Sequence, residues 1–87
     1  MCNKDVIEEF LDRNPASIKN LSTDGIKLYS YNTCIAQWDY NTIIINKTYY
    51  SNTTSHHLGI LRGIVNSNHI ETSISVPINT KDLTNYI

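Results

Sequence analysis

Few side chains in this 87-residue sequence carry reactive groups, and most of them fall between Tyr29 and Arg62. Zinc would have to draw on Cys34, His56, His57 and His69. Adjacent histidines on a helix diverge by about 100°, and there is no Cys-x-x-Cys or His-x-x-x-His pair, so the spacing does not suit a metal. Cys34 and His57 would make a nucleophile and a base. The alternation around Cys34 puts it inside a strand, where a thiol usually behaves as a small buried hydrophobe, and no oxyanion hole is legible. We therefore expect no catalytic centre, no metal and no cofactor, and read the protein as non-enzymatic.

Recognition chemistry has better material. Thr53, Thr54 and Ser55 stand where a helix begins, with His56 and Arg62 following. Free amides, hydroxyls and cationic groups are the ingredients of an anion site, although ordinary capping by Thr53 or Thr54 explains the hydroxyls equally well. On the same helix Gly59 and Gly63 lie one turn apart, and each costs roughly 1 kcal/mol relative to alanine. Either they pack against the sheet or the first helix, or a ligand, partner or symmetry mate comes close to that backbone. Upstream, Tyr29 and Tyr31 belong to an aromatic group with Trp38, Tyr40, Tyr49 and Tyr50, near Lys27 and Lys47. Such a group suits base stacking or a protein-binding hot spot. Tyr29, Tyr31, Thr53, Thr54, His56, Gly59, Arg62 and Gly63 are thus the candidate binding surface.

The elements that position these residues follow from hydrophobic period. Val6, Ile7, Phe10 and Leu11 fall at helical spacing over residues 3–13, with acids on the opposite side, and Asn14-Pro15 ends the helix. From Ser17 the period becomes two. Ile18, a Ser22–Gly25 turn, and Ile26 with Leu28 read as a hairpin whose inward residues are Ile26 and Leu28, leaving Tyr29 and Tyr31 on the outer face. A strand over 33–38 carries Cys34, Ala36 and Trp38 on one face and Ile35 with Gln37 on the other. The run Ile43-Ile44-Ile45 reads as a strand covered on both sides. Winding the second helix from His56 turns Ile60, Ile64, His57, Leu61, Val65 and Leu58 inward and His56, Gly59, Arg62 and Gly63 outward. Residues 66–68 close that helix. A last strand over 70–78 either lies at an edge or ends at Pro77, which has no amide hydrogen, and a short tail follows.

Composition bounds the rest. At this length one small core is available, and about 60% of the unfolded surface is buried on folding. A hydrophobic content of 40% with a charged content of 17% describes a globular chain, and a formal net charge of −1 lacks the basic excess of a high-affinity nucleic-acid binder. Cys2 and Cys34 are too few for a disulfide scaffold and read as reduced thiols. No apolar run is long enough for a membrane span, so a cytoplasmic protein is expected. The fold class expected is α+β: one domain, residues 1–87, with a mainly antiparallel sheet of four or five strands covered by two helices.

The run Tyr29-Ser-Tyr-Asn-Thr-Cys-Ile-Ala36, a hairpin, and the run from Tyr50 to Arg62 resemble a small uncharacterised domain found in phage and low-GC bacterial proteins. In that domain the pattern YSYNTxIA … YSxTTSxH … LR recurs, and aligning Ser51 puts His57 rather than His56 at the histidine position. The resemblance implies a phage or mobile-element setting and no reaction. From setting and size we expect a protein that binds and inhibits part of a host defence system, as anti-CRISPR proteins do, with homodimerisation a further expectation. The alternative is a module for single-stranded nucleic acid or a nucleotide, using Tyr29, Tyr31, His56 and Arg62.

Overall fold

The computed structural model describes residues 2–48, 52–65 and 69–86; Tyr49, Tyr50 and the 66–68 helix end lie outside them. The first helix, α1, runs Asn3–Leu11 and buries Val6, Ile7 and Phe10, the apolar stripe of the sequence. The backbone N–H of Cys2 donates to the Asp5 carboxylate at 2.8 Å, which fixes the helix start. The helix ends with the last residue of the stripe, Leu11, short of the expected 3–13 span. Arg13 takes a left-handed φ of 62°, its N–H donates to the Phe10 carbonyl and that of Asn14 to the Glu9 carbonyl. These paired bonds make a Schellman turn, here with arginine where glycine is commonest.

A meander follows: β1 (Ala16–Ser17), β2 (Leu21–Thr23), β3 (Lys27–Ser30), β4 (Thr33–Asp39) and β5 (Thr42–Ile45), each antiparallel to the one before. The hairpin expected around Gly25 is present, but displaced downstream. Ser22 and Thr23 belong to β2, and the Asp24 carboxylate accepts the N–H groups of Ile26 and Lys27 at 2.9 and 2.8 Å. That Asx turn takes up Ile26, which is 45% exposed instead of facing the core. Gly25 has φ 99°, and a Cβ there would lie 2.6 Å from the Arg13 carbonyl oxygen, so both backbone conformation and space demand glycine.

A bulge corrects the expected faces of β4. Leu28 pairs with Ala36 but Tyr29 pairs with Cys34, so Ile35 is an extra residue with no partner in β3, while on the β5 side its carbonyl accepts the Asn46 N–H at 2.8 Å. Cys34 consequently leaves the face of Ala36 and joins Ile44, Val76 and Leu83, while Ile35 and Ala36 enter the helix-side core. Tyr31 also parts from Tyr29: it occupies the β3–β4 turn with φ 57° and is 54% exposed.

The chain then forms α2 (Asn52–Ile64) and returns as β6 (His69–Glu71), parallel to β5, which gives a six-stranded sheet in the order β1 to β6. β1, of two residues, is short enough to escape a reading by alternation, so the sheet exceeds the four or five strands expected. The α+β class and the largely antiparallel pairing are as expected. Both helices lie on one face, where Val6, Ile7, Phe10, Leu28, Ile43, Ile45, Leu58 and Leu61 make one core. Ile44 points the other way, so β5 is covered on both sides, as its unbroken isoleucine run required.

What covers the second face differs from expectation. The sheet gains only three residues at β6, and beyond Glu71 the chain crosses the face as an irregular strap ending in a 3-10 turn, Thr84–Tyr86. Side chains of the sheet hold it. Thr48, Thr33 and Gln37 accept the N–H groups of Val76, Asn79 and Leu83 at 2.8, 2.7 and 2.8 Å. The strap does not extend the ladder over 72–78: beyond the Thr72 N–H, which donates to the Ile45 carbonyl at 2.9 Å, the Ser73 N–H donates to the Tyr86 carbonyl and that of Val76 to the Thr48 hydroxyl, and Pro77 has no N–H to give. The strap buries Val76 and Leu83 and leaves Ile74 and Ile78 exposed.

Candidate functional site

The inner side of α2 carries Thr54, His57, Leu58 and Leu61, all buried, and its outer side carries His56, Gly59 and Gly63, all exposed. The helical phase read from the sequence is therefore correct, including the opposite orientations of the two histidines. Space around the glycines is open: a Cβ added at Gly59 or at Gly63 meets nothing within 4 Å. Packing against the sheet or α1 is thus not the reason for either residue. Arg62, half-buried, pairs with Glu71 and ties the last turn of α2 to β6.

The start of the helix departs from the expected capping. Asn52 is already helical, so Thr53 and Thr54 occupy the first turn and not the cap position. The Thr54 hydroxyl lies 3.2 Å from that of Ser30, inside the protein, and does not face an anion at the helix end. Arg62 follows His56 by six residues, about 9 Å along the axis and roughly 240° around it. His56 and Arg62 do not converge on one ligand.

Beneath α2 lies a buried polar cluster that sequence reading missed. The Ser30 hydroxyl shares a hydrogen bond of 2.9 Å with His57 Nδ1, next to its contact with Thr54. His57 Nε2 is buried with no hydrogen-bond partner. Desolvation pushes the His57 imidazole below its ordinary pKa, and the neighbouring His56 adds to the effect. The available signal was Ser30 itself, a polar residue in the inward phase set by Leu28.

Other candidates are scattered. Tyr29 lies on the strap side of the sheet, half-buried, with the Lys81 ammonium 5.7 Å from its ring centre. Tyr31 lies at the β3–β4 turn, so neither tyrosine joins the outer face of α2. Cys34, on the face opposite α2, donates its thiol to the Ala36 carbonyl at 3.2 Å, and burial pushes its pKa up to about 12. It is not paired with His57 and is not poised as a thiolate. Among the described residues no three His, Cys, Asp or Glu side chains gather as a metal site would require, and no helix is long and apolar enough to cross a membrane.

What these observations define is a small α+β domain with two helices on one face of an open sheet, a strap on the other, and an exposed glycine-bearing helix face. The chain belongs to the family of unknown function DUF8033, whose model matches residues 4–74. That span takes in both helices and all six strands but stops short of Val76 and Leu83 on the strap. No curated protein and no solved structure matches the chain.

Proposed function

We propose that this domain is a non-catalytic binding protein that docks on a protein target through the outer face of α2, and that it serves a phage or mobile element as an inhibitor of host defence. The observation that carries the docking surface is the pair Gly59 and Gly63. Both are exposed in the helix interior, both have open space where a side chain would stand, and neither is required by the fold. Glycines so placed let a partner's backbone approach the helix closely, at a cost of roughly 1 kcal/mol each in helix stability. His56 on the same face and Thr53 beside it add polar contacts. The host-defence setting rests on the Tyr29–Ala36 and Tyr50–Arg62 resemblance and on size, and it places the protein in the host cytoplasm, acting like an anti-CRISPR protein.

The alternative, a module for single-stranded nucleic acid or a nucleotide, has less support. Arg62 is engaged by Glu71, Tyr29 lies under Lys81, and the formal net charge of −1 leaves no overall basic excess to neutralise phosphates. The test is to express the chain in a defence-carrying host and score phage plating, with Gly63→Leu alongside. Restored plating by the native chain and loss by a Gly63→Leu variant of unchanged circular dichroism is the expected result. Equal activity of the two removes the α2 face from the reading, and inactivity of both removes the defence setting. Light scattering on the same pair reports whether the target is a second copy. Binding to single-stranded DNA or RNA that weakens steeply with salt favours the alternative.

A further inference from the structure

We propose that His57 is an acid-sensitive pin, whose protonation at mildly acidic pH releases α2 from the sheet. The geometry begins with burial: the imidazole is 0% exposed, and among the described residues its hydrogen-bond partner is the Ser30 hydroxyl, through Nδ1. In the neutral ring one nitrogen is a donor and the other an acceptor, and Ser30, which can donate or accept, satisfies Nδ1 in either tautomer. The imidazolium has two N–H donors. Ser30 can accept one after turning its own proton towards Thr54, 3.2 Å away, but the N–H on Nε2 then points into the interior with no acceptor.

Among the described residues no buried countercharge offsets that proton. Around His57, β3 contributes Ser30; its Lys27 pairs with Asp82, and Tyr29 is directed to the strap side. From α1 the inward residues are Val6, Ile7 and Phe10, while Asp5, Glu8 and Asp12 are exposed and Glu9, at the flank of the helix, is half-buried. The sheet presents Leu21, Leu28, Ile43 and Ile45. From β6, Glu71 is engaged by Arg62, and His69 has its own Nδ1 buried without a partner. Within α2 the nearest titratable group is His56, at 6.4 Å between ring centres, and its charge would repel a second one. A buried cation with one unmet donor and no carboxylate is strongly disfavoured, so the proton is taken up more readily by an opened state in which water reaches the ring.

The sign follows from linkage. A histidine whose folded pKa lies below its unfolded value contributes stability that is complete above the unfolded value, near 6.5, and declines as pH falls below it. Because the ring is anchored to β3 from the second turn of α2, the helix is the element that must move to hydrate it. The inference stands on that attachment and does not depend on what the outer face binds.

The test is amide hydrogen exchange by NMR at pH 7.5 and 5.0, corrected for intrinsic rates, together with titration of the imidazole resonances. Expected are a protection loss in α2 at least about tenfold greater than in β4 and β5, and a melting temperature lowered by about 7 °C for each tenfold loss that reaches global stability. His57→Gln should abolish the α2-specific loss, and His56→Gln should retain it. Unchanged α2 protection at pH 5.0, or the same acid effect in His57→Gln, overturns the proposal. If His57→Gln does not fold, the native protein alone decides, by whether α2 loses protection as the His57 resonances titrate.

Discussion

Trp38 donates its indole N–H to the Phe10 carbonyl across 2.9 Å, which joins β4 to the C-terminal end of α1. The same carbonyl accepts the N–H of Arg13, and the Arg13 guanidinium lies 4.0 Å above the Trp38 ring before reaching the Tyr40 carbonyl. A helix end that glycine would normally close is closed here by tertiary contacts around one indole. Trp38→Phe should therefore destabilise the protein by about 1–2 kcal/mol through the lost donor. Arg13→Ala should cost about 0.5–1 kcal/mol. In a double-mutant cycle by urea unfolding, the two losses should sum to more than the double variant shows, because both act on the same ring.

The two adjacent histidines should behave oppositely. His57→Ala removes a buried, hydrogen-bonded ring and is expected to cost about 1–3 kcal/mol, whereas His56→Ala on the exposed face should change stability by less than about 0.5 kcal/mol. Thermal melts at pH 7.5 compare them.

Glycine substitutions should differ in sign. At Gly25, alanine meets φ 99° and the Arg13 carbonyl at 2.6 Å, so Gly25→Ala should destabilise by about 2 kcal/mol or more. At Gly59 and Gly63 the space is open and the backbone helical, so alanine should stabilise by about 0.5–1 kcal/mol at each. Circular dichroism melts of the three single variants settle the signs.

The strap can be followed through Cys34. Its thiol is buried beneath Leu83 and Val76, with a pKa pushed up to about 12, while Cys2 is exposed. A thiol reagent at pH 8 should modify Cys2 rapidly and Cys34 only as the strap opens. Leu83→Ala should accelerate the slow phase by at least about tenfold. Asp82 gives the strap its own acid response. Hydrogen bonds from Thr84 lead the causes that lower its carboxyl to about 2, with Lys27 adding to them, so this contribution persists at neutral pH and is lost only as pH falls from near 4 towards 2. Cys34 labelling by an acid-compatible disulfide reagent should rise across that window in the native protein. Asp82→Asn should flatten the rise.

The two helices were legible because a stripe at period 3.6 over two or three turns has few alternative readings, and the phase of α2 followed from the same count. The isoleucine run announced a strand covered on both sides. The sheet was less readable because its errors are local: one residue inserted at Ile35 exchanges the faces of Cys34 and Ile35, and one carboxylate at Asp24 moves a turn and exposes Ile26. Both depend on partners that alternation does not reveal. Strands as short as β1 leave no periodic trace, and the strap is held by amide bonds to Thr33, Gln37 and Thr48 that no pattern in residues 72–83 encodes. Of the candidate surface, His56, Gly59 and Gly63 are together on one face, while Tyr29 and Tyr31 were assigned to it from an alternation that the β3–β4 turn interrupts.

The parallel pairing of β5 with β6 has a kinetic consequence. Strands β1 to β5 each pair with their sequence neighbour across a tight connection, so their contacts can form early at small entropic cost. β6 finds β5 only after the chain has been carried across through α2, which makes this edge the most expensive loop to close in the sheet. The transition state for folding should then resemble the meander, with α2 and β6 arriving late. Truncations such as Ile35→Val or Ile43→Val would slow folding, while Leu61→Ala would mainly hasten unfolding. The helix that displays Gly59 and Gly63 would thus be among the last parts to lock into place and among the first to come free.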